Sequence, residues 1–166
     1  MRKGEKGIFL LMGVMVVVFI LINNYRQSQD AEEDKGIPFY STASTELEKR
    51  AMELIRLLDC RDCHSLWSIR NVMQSVPAPA LDGLGSLHDE SFFYDYLSAE
   101  DPQSVIPSRL KAEYQMPSFS DLPAEDRRTL AQYLASLKVE DWYLDEVKKK
   151  EYEKLTGKDY EPVGDK

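Results

Sequence analysis

Residues 60–64 read Cys60-Arg61-Asp62-Cys63-His64, a C-x-x-C-H string that holds the only two cysteines of the chain. This spacing is the attachment signal of c-type haem. Two thiols three positions apart reach the two vinyl groups of one porphyrin. The histidine directly after the second thiol is carried under the iron as its proximal ligand. Two other readings of these cysteines stand beside it. A redox disulfide needs no adjacent histidine and belongs with a βαβ pattern that this sequence lacks. A structural zinc site needs four ligands, commonly cysteine and histidine. Besides the thiols the chain offers only His64 and His88, and His64 follows Cys63 too closely for the usual finger spacing. String and context together favour one covalent haem c on Cys60 and Cys63, with an axial iron bond from His64.

Upstream, Arg2-Lys3-Gly4-Glu5-Lys6 precedes an uninterrupted apolar run from Ile8 to Ile22. A spanning helix usually needs about 20 mostly apolar residues. Gly7, Asn23, Asn24 and Tyr25 extend the run into the interfaces, where Tyr25 suits the headgroup level. Residues 7–25 are therefore expected to be a transmembrane anchor behind a stub at 1–6. A cleaved signal peptide is the rival reading, since a basic n-region and an apolar stretch of this length fit it. Against it, no small-x-small cleavage site follows, and no cysteine is there to take a lipid. The positive-inside rule keeps Arg2, Lys3 and Lys6 in the cytoplasm and puts everything after the anchor outside.

A length of 166 residues bounds one compact domain plus extensions. The chain carries 29 Asp and Glu against 21 Lys and Arg, for a net charge of −8, and three of the basic residues lie in the stub. Nucleic-acid binding is disfavoured, because phosphate neutralisation needs a basic surface. A negative surface suits collision with basic partners, or serves plain solubility.

Residues 26–44 read as an acidic tether, without apolar periodicity and broken at Gly36 and Pro38, with Phe39 and Tyr40 expected to pack on the domain. Thr45-Glu46-Leu47-Glu48 fits a capping box, with Thr45 as N-cap and Glu48 at N3, and predicts that a helix begins there. Leu47, Ala51, Leu54, Ile55 and Leu58 line one face, and the helix is expected to run directly into Cys60. Pro77, Pro79, Gly83 and Gly85 mark a loop. Asp89 or Ser91 caps a short helix through Phe92, Phe93, Tyr96 and Leu97, stopped by Asp101-Pro102. An extended stretch then leads through Pro107, Tyr114, Met116 and Pro117. Pro123 opens a further helix with the stripe Leu130, Tyr133, Leu134 and Leu137. No strand and no repeat is expected, so the fold class is all-α. Residues 139–166 form a charged extension, in which Trp142, Tyr143, Leu144, Val147 and Leu155 line one side of a helix. A solvated tail is the competing reading, and residues 157–166 are expected to fray.

The order helix, C-x-x-C-H, Pro/Gly loop, short helix, Met loop, final helix resembles the class I monohaem cytochromes c. Three strings carry the likeness: Cys60 to His64; Pro79-Ala80-Leu81-Asp82-Gly83, similar to P-x-L-x-G; and Tyr114-Gln115-Met116-Pro117-Ser118-Phe119 ahead of the last helix. The resemblance covers Thr45 to Leu137, placing the domain at 45–138 and leaving out anchor and extension. Met52 stands where the family often has Gly, and Arg56 where it often has an aromatic residue. The resemblance implies helices around one covalently bound haem, Met116 as sixth ligand, and the Pro79 carbonyl as acceptor for His64 Nδ1–H. A thioether favours ferrous iron and raises the potential. His88 and Met73 are the rival sixth ligands. Trp67, Phe92, Phe93, Tyr96, Tyr114 and Phe119 are expected in pocket and core, and Trp67, Arg70 or Tyr114 are candidates to meet a haem propionate.

The resemblance also implies an address and a task. Cytochromes c mature on the outer side of the bacterial inner membrane, which agrees with a single-pass anchor and a periplasmic domain. The expected task is one-electron transfer without enzyme chemistry, as a tethered carrier or a fixed subunit of a quinol-oxidising or terminal-oxidase complex. Partners would be membrane or periplasmic redox proteins and membrane lipid. Competing expectations are a haem enzyme or gas sensor, either of which needs an exchangeable axial position, and a scaffold whose haem is structural.

Overall fold

The chain divides into two units, Met1–Gly36 and Ile37–Lys166. The computed structural model describes residues 12–23, 36–69, 76 and 78–161. In the first unit, residues 12–23 are helical (α1) and their side chains are exposed all round. Among the described residues no helix is long and apolar enough to cross a membrane. α1 is the middle of the expected 7–25 span. The rest of that span, and residues 26–35 of the tether, lie outside the described residues.

The second unit is mostly helical. Its elements in order are β1 (Phe39–Ser41), α2 (Thr45–Leu57), α3 (Cys60–Cys63), α4 (Glu90–Ser98), α5 (Ala124–Ser136), β2 (Leu137–Val139) and α6 (Leu144–Thr156), with single 3₁₀ turns between them. α2 begins as its sequence predicts, but Ser44 is the cap, accepting from the Leu47 N–H at 3.2 Å. Adjacent Ser and Thr offer the same chemistry, and only the backbone decides between them. Glu46 and Glu48 in the first turn complement the helix dipole. α2 does not run into Cys60. Asp59 takes a left-handed conformation, φ 53°, and separates it from α3. Asp tolerates that region better than most residues, because its short side chain is small and polar.

The all-α expectation needs one correction. β1 and β2 form a two-stranded antiparallel sheet, pairing Phe39 with Val139 and Ser41 with Leu137. The ladder continues through Glu140 N–H to the Pro38 carbonyl at 2.8 Å and Thr42 N–H to the Ser136 carbonyl at 3.0 Å. Three residues per strand are too few for an alternation to show. The pairing is a product of the tertiary fold, which brings the two ends of the domain together.

α5 packs against α4 and α2. Ala51 of α2 and Ala131 of α5 are fully buried, small enough for backbones to come close. Met52 is partly buried against the core and accepts a hydrogen bond on Sδ from the Tyr133 hydroxyl at 3.6 Å. Tyr133, Ile55, Leu66 and Leu137 are the largest fully buried side chains. Gly85 lies so close to the end of α5 that a Cβ there would stand 2.3 Å from the Ala135 carbonyl oxygen. α6 is docked rather than solvated. Val147 is buried, and a Cβ at Gly83 would stand 3.3 Å from Val147 Cγ2. Gly157 closes α6 in the left-handed conformation, φ 69°, its N–H bonded to the Glu153 carbonyl at 2.9 Å.

Candidate functional site

α3 is one helical turn, so Cys60 and Cys63 fall on one face at positions i and i+3. Both are half-buried free thiols. Burial pushes the Cys60 thiol up to about 11. His64 leaves the turn in extended conformation, its N–H bonded back to the Cys60 carbonyl at 2.9 Å. Its Nδ1 lies 2.7 Å from the Pro79 carbonyl oxygen. A carbonyl only accepts, so Nδ1 carries the proton and Nε2 keeps its lone pair for a ligand. Burial holds the imidazole below its ordinary pKa, and the Pro79 contact opposes that shift.

Residues 65–68 are laced to residues 79–82. Leu81 N–H donates to the Ser65 carbonyl at 2.9 Å. The Trp67 and Ser68 N–H groups both donate to the Asp82 carboxylate, Ser68 at 3.2 Å. Trp67 (φ 54°) and Ser68 (φ 57°) are consecutive left-handed residues, a backbone state that costs about 1–3 kcal/mol at a non-glycine position. Asp82 is buried and holds both in place. Desolvation raises its carboxyl pKa even though the two N–H donors pull it down.

The turn opens onto a large, mainly apolar cavity of about 1310 Å³, its mouth to solvent included. Cys60, Cys63, His64 and Pro79 line it, and so does Met116. α4 contributes Phe92, Phe93, Tyr96 and Leu97, and α5 contributes Leu130 and Leu134. Met116 is half-buried, and its carbonyl accepts from Gln103 Nε2 at 3.1 Å. The cavity therefore presents two thiols, an imidazole lone pair and a thioether between apolar walls.

His88 lines the same cavity, but its Nε2 is 2.7 Å from Glu151 Oε1 and its ring is stacked on Phe92 at 4.0 Å. Met73 and Arg70 lie outside the described residues. Tyr114 and Phe119 line the cavity. Trp67 is not on its wall; it packs against the core. Among the described residues no three His, Cys, Asp or Glu side chains gather as a metal site, so the zinc reading finds no ligand set there.

Five residues at the site are not singled out by the sequence: Asp82, Gln103, Arg109, Glu151 and Lys154. Asp82 is an unspecified position inside the Pro79–Gly83 string. Glu151 and Lys154 had a signal. Val147, Glu151, Lys154 and Leu155 fall at i, i+4, i+7 and i+8, one face of a helix. Reading only the apolar members of that stripe hides the two charged ones.

No protein-family model matches this chain, and no curated protein and no solved structure matches it.

Proposed function

We propose that this chain is a membrane-tethered class I monohaem cytochrome c that passes single electrons on the outer face of a bacterial inner membrane. One observation carries the reading: Cys60, Cys63, a His64 whose Nδ1 is held by Pro79, and Met116 all line one apolar cavity. Cys60 and Cys63 would hold a haem through thioethers, and His64 Nε2 and Met116 Sδ would ligate its iron. The donor set and the apolar walls thus fit a haem c.

When bound, the haem supplies a one-electron Fe(III)/Fe(II) couple. The side chains do the rest. The α3 turn places both thiols on one face, and Pro79 fixes the tautomer and plane of His64. Met116, a soft neutral donor, would ligate the iron and favour its ferrous state. Phe92, Phe93 and Leu97 line the cavity with apolar groups, so a charge change at a bound iron would meet little reorganising water. The tether reading draws support from α1, whose apolar side chains are exposed on every face. A tether raises the effective concentration of membrane redox partners, including those of a quinol-oxidising or terminal-oxidase complex.

The full-length chain, expressed with a cytochrome c maturation system, should retain haem through denaturing electrophoresis. Its spectrum should be low-spin and six-coordinate, with a methionine–iron charge-transfer band. Met116→Ala should turn it high-spin, admit carbon monoxide and lower the potential, whereas His88→Ala should leave the spectrum unchanged. The reverse pattern overturns the ligand assignment. A wild-type protein that is already high-spin and binds carbon monoxide readily points to a haem enzyme or gas sensor.

A further inference from the structure

α6 belongs to the extension, outside the stretch that carries the family resemblance, yet it forms part of the cavity wall through Glu151, Lys154 and Leu155. It is tied in from two sides. Glu151 meets His88 just ahead of α4 at 2.7 Å. Arg109, in the loop leading to Met116, donates from Nε to the Lys154 carbonyl at 3.2 Å. The Arg109 side chain also packs over Gly157, where a Cβ would stand 3.0 Å from its Nε.

The charges on this wall are unbalanced. Among the described residues, Arg109 and Lys154 are the Lys or Arg side chains lining the cavity, and the acidic one, Glu151, is engaged by His88. No acidic side chain among the described residues forms an ion pair with Arg109 or Lys154. Lys154 is half-buried. A cation at the wall of an apolar cavity pays a desolvation cost unless an anion meets it. In a chain of net charge −8, a half-buried Lys154 with the exposed Arg109 beside it on the cavity wall calls for a ligand with an apolar body and an acidic edge.

We propose that Lys154 and Arg109 form the carboxylate-binding edge of the cofactor site, with α6 supplying one of the two cations. The inference rests on the haem reading above: a porphyrin attached through its vinyl groups to Cys60 and Cys63 carries its two propionates on the remaining edge. α6 is then a component of the cofactor site, and the extension is there to complete it.

The test uses the full-length, haem-loaded chain. A cation beside the cofactor favours the ferrous state, which carries one less positive charge on the iron. Lys154→Met and Arg109→Leu should each lower the midpoint potential, and the double variant should lower it further. Lys154→Arg should keep the wild-type value. Lys148→Met, on the same helix but paired with Asp145 at 3.0 Å, should change nothing. The propionate bending bands in resonance Raman spectra should shift in Lys154→Met and not in Lys148→Met. A haem-loaded Lys154→Met protein that matches Lys148→Met in potential and in those bands overturns this inference alone. A matured full-length chain carrying no covalent haem overturns the haem reading and this inference with it.

Discussion

On the His64 side of the cavity, four hydrogen bonds lace residues 64–68 to residues 79–82: Nδ1 to Pro79, Leu81 to Ser65, and Trp67 and Ser68 to Asp82. On the Met116 side the chain passes through the 3₁₀ turns Pro102–Ser104 and Ala112–Tyr114 and is held mainly by side chains. Gln103 Nε2 reaches the Met116 carbonyl, and Ser118 Oγ reaches the Ala99 carbonyl at 2.8 Å. One wall is a lattice of backbone bonds built around the buried Asp82 carboxylate. The other is a loop tied by side chains. The His64 imidazole is thereby fixed in plane and tautomer. The Met116 side chain is positioned with more freedom. Changes near His64 should therefore cost global stability, and changes near Met116 should alter ligation at little stability cost.

The largest break in that comparison should come from Gly85, which continues the His64-side turn onto α5. Gly85→Ala puts a methyl group 2.3 Å from the Ala135 carbonyl oxygen, and its immediate neighbours there are backbone atoms that cannot rotate away. We expect a loss of about 3 kcal/mol or more, read as a fall in the denaturation midpoint of the full-length protein. A wild-type midpoint would show that the turn moves freely and that the lattice is not rigid.

Next is Asp82. Asp82→Ala strands the Trp67 and Ser68 N–H groups and should cost about 2–4 kcal/mol. Asp82→Asn, which keeps an acceptor, should cost less and should change the response to pH. Burial raises the Asp82 carboxyl above its ordinary 3.8, so the folded state binds more protons than the unfolded one. Its contribution is therefore full below 3.8 and is lost as pH rises through the raised folded value. Across urea titrations, the stability of wild type minus that of Asp82→Asn should fall with rising pH. A difference that rises with pH would mean that the two N–H donors outweigh burial.

The smallest effect should be at Gln103. Gln103→Ala removes the tie to the Met116 carbonyl and should cost about 1 kcal/mol. In the same variant, added imidazole should displace Met116 faster than in wild type. Unchanged displacement with a large stability loss would invert the comparison.

Some of this site is legible along the chain because its chemistry is local. Cys60, Cys63 and His64 are read from spacing alone, and the Met116-Pro117 and Pro79–Gly83 strings from their order after it. α2, α4 and α5 follow from helical periodicity and nearby caps. The break at Asp59 is not legible, since one left-handed residue leaves no pattern. The β1–β2 pair is equally silent, because each strand is three residues long and its partner is about a hundred residues away.

By itself the sequence determines which thiols, imidazole and thioether are on offer, the helices that present them and the excess of negative charge. All of these depend on neighbours within a turn or two. Only the tertiary structure decides that the Asp82 carboxylate locks the turn after His64, that His88 is engaged by Glu151, and that a charged C-terminal helix lines the cavity. Those contacts join residues 14, 63 and up to about 90 positions apart. They form because packing α5 against α2 and α4 brings distant segments together, and no local preference encodes that meeting.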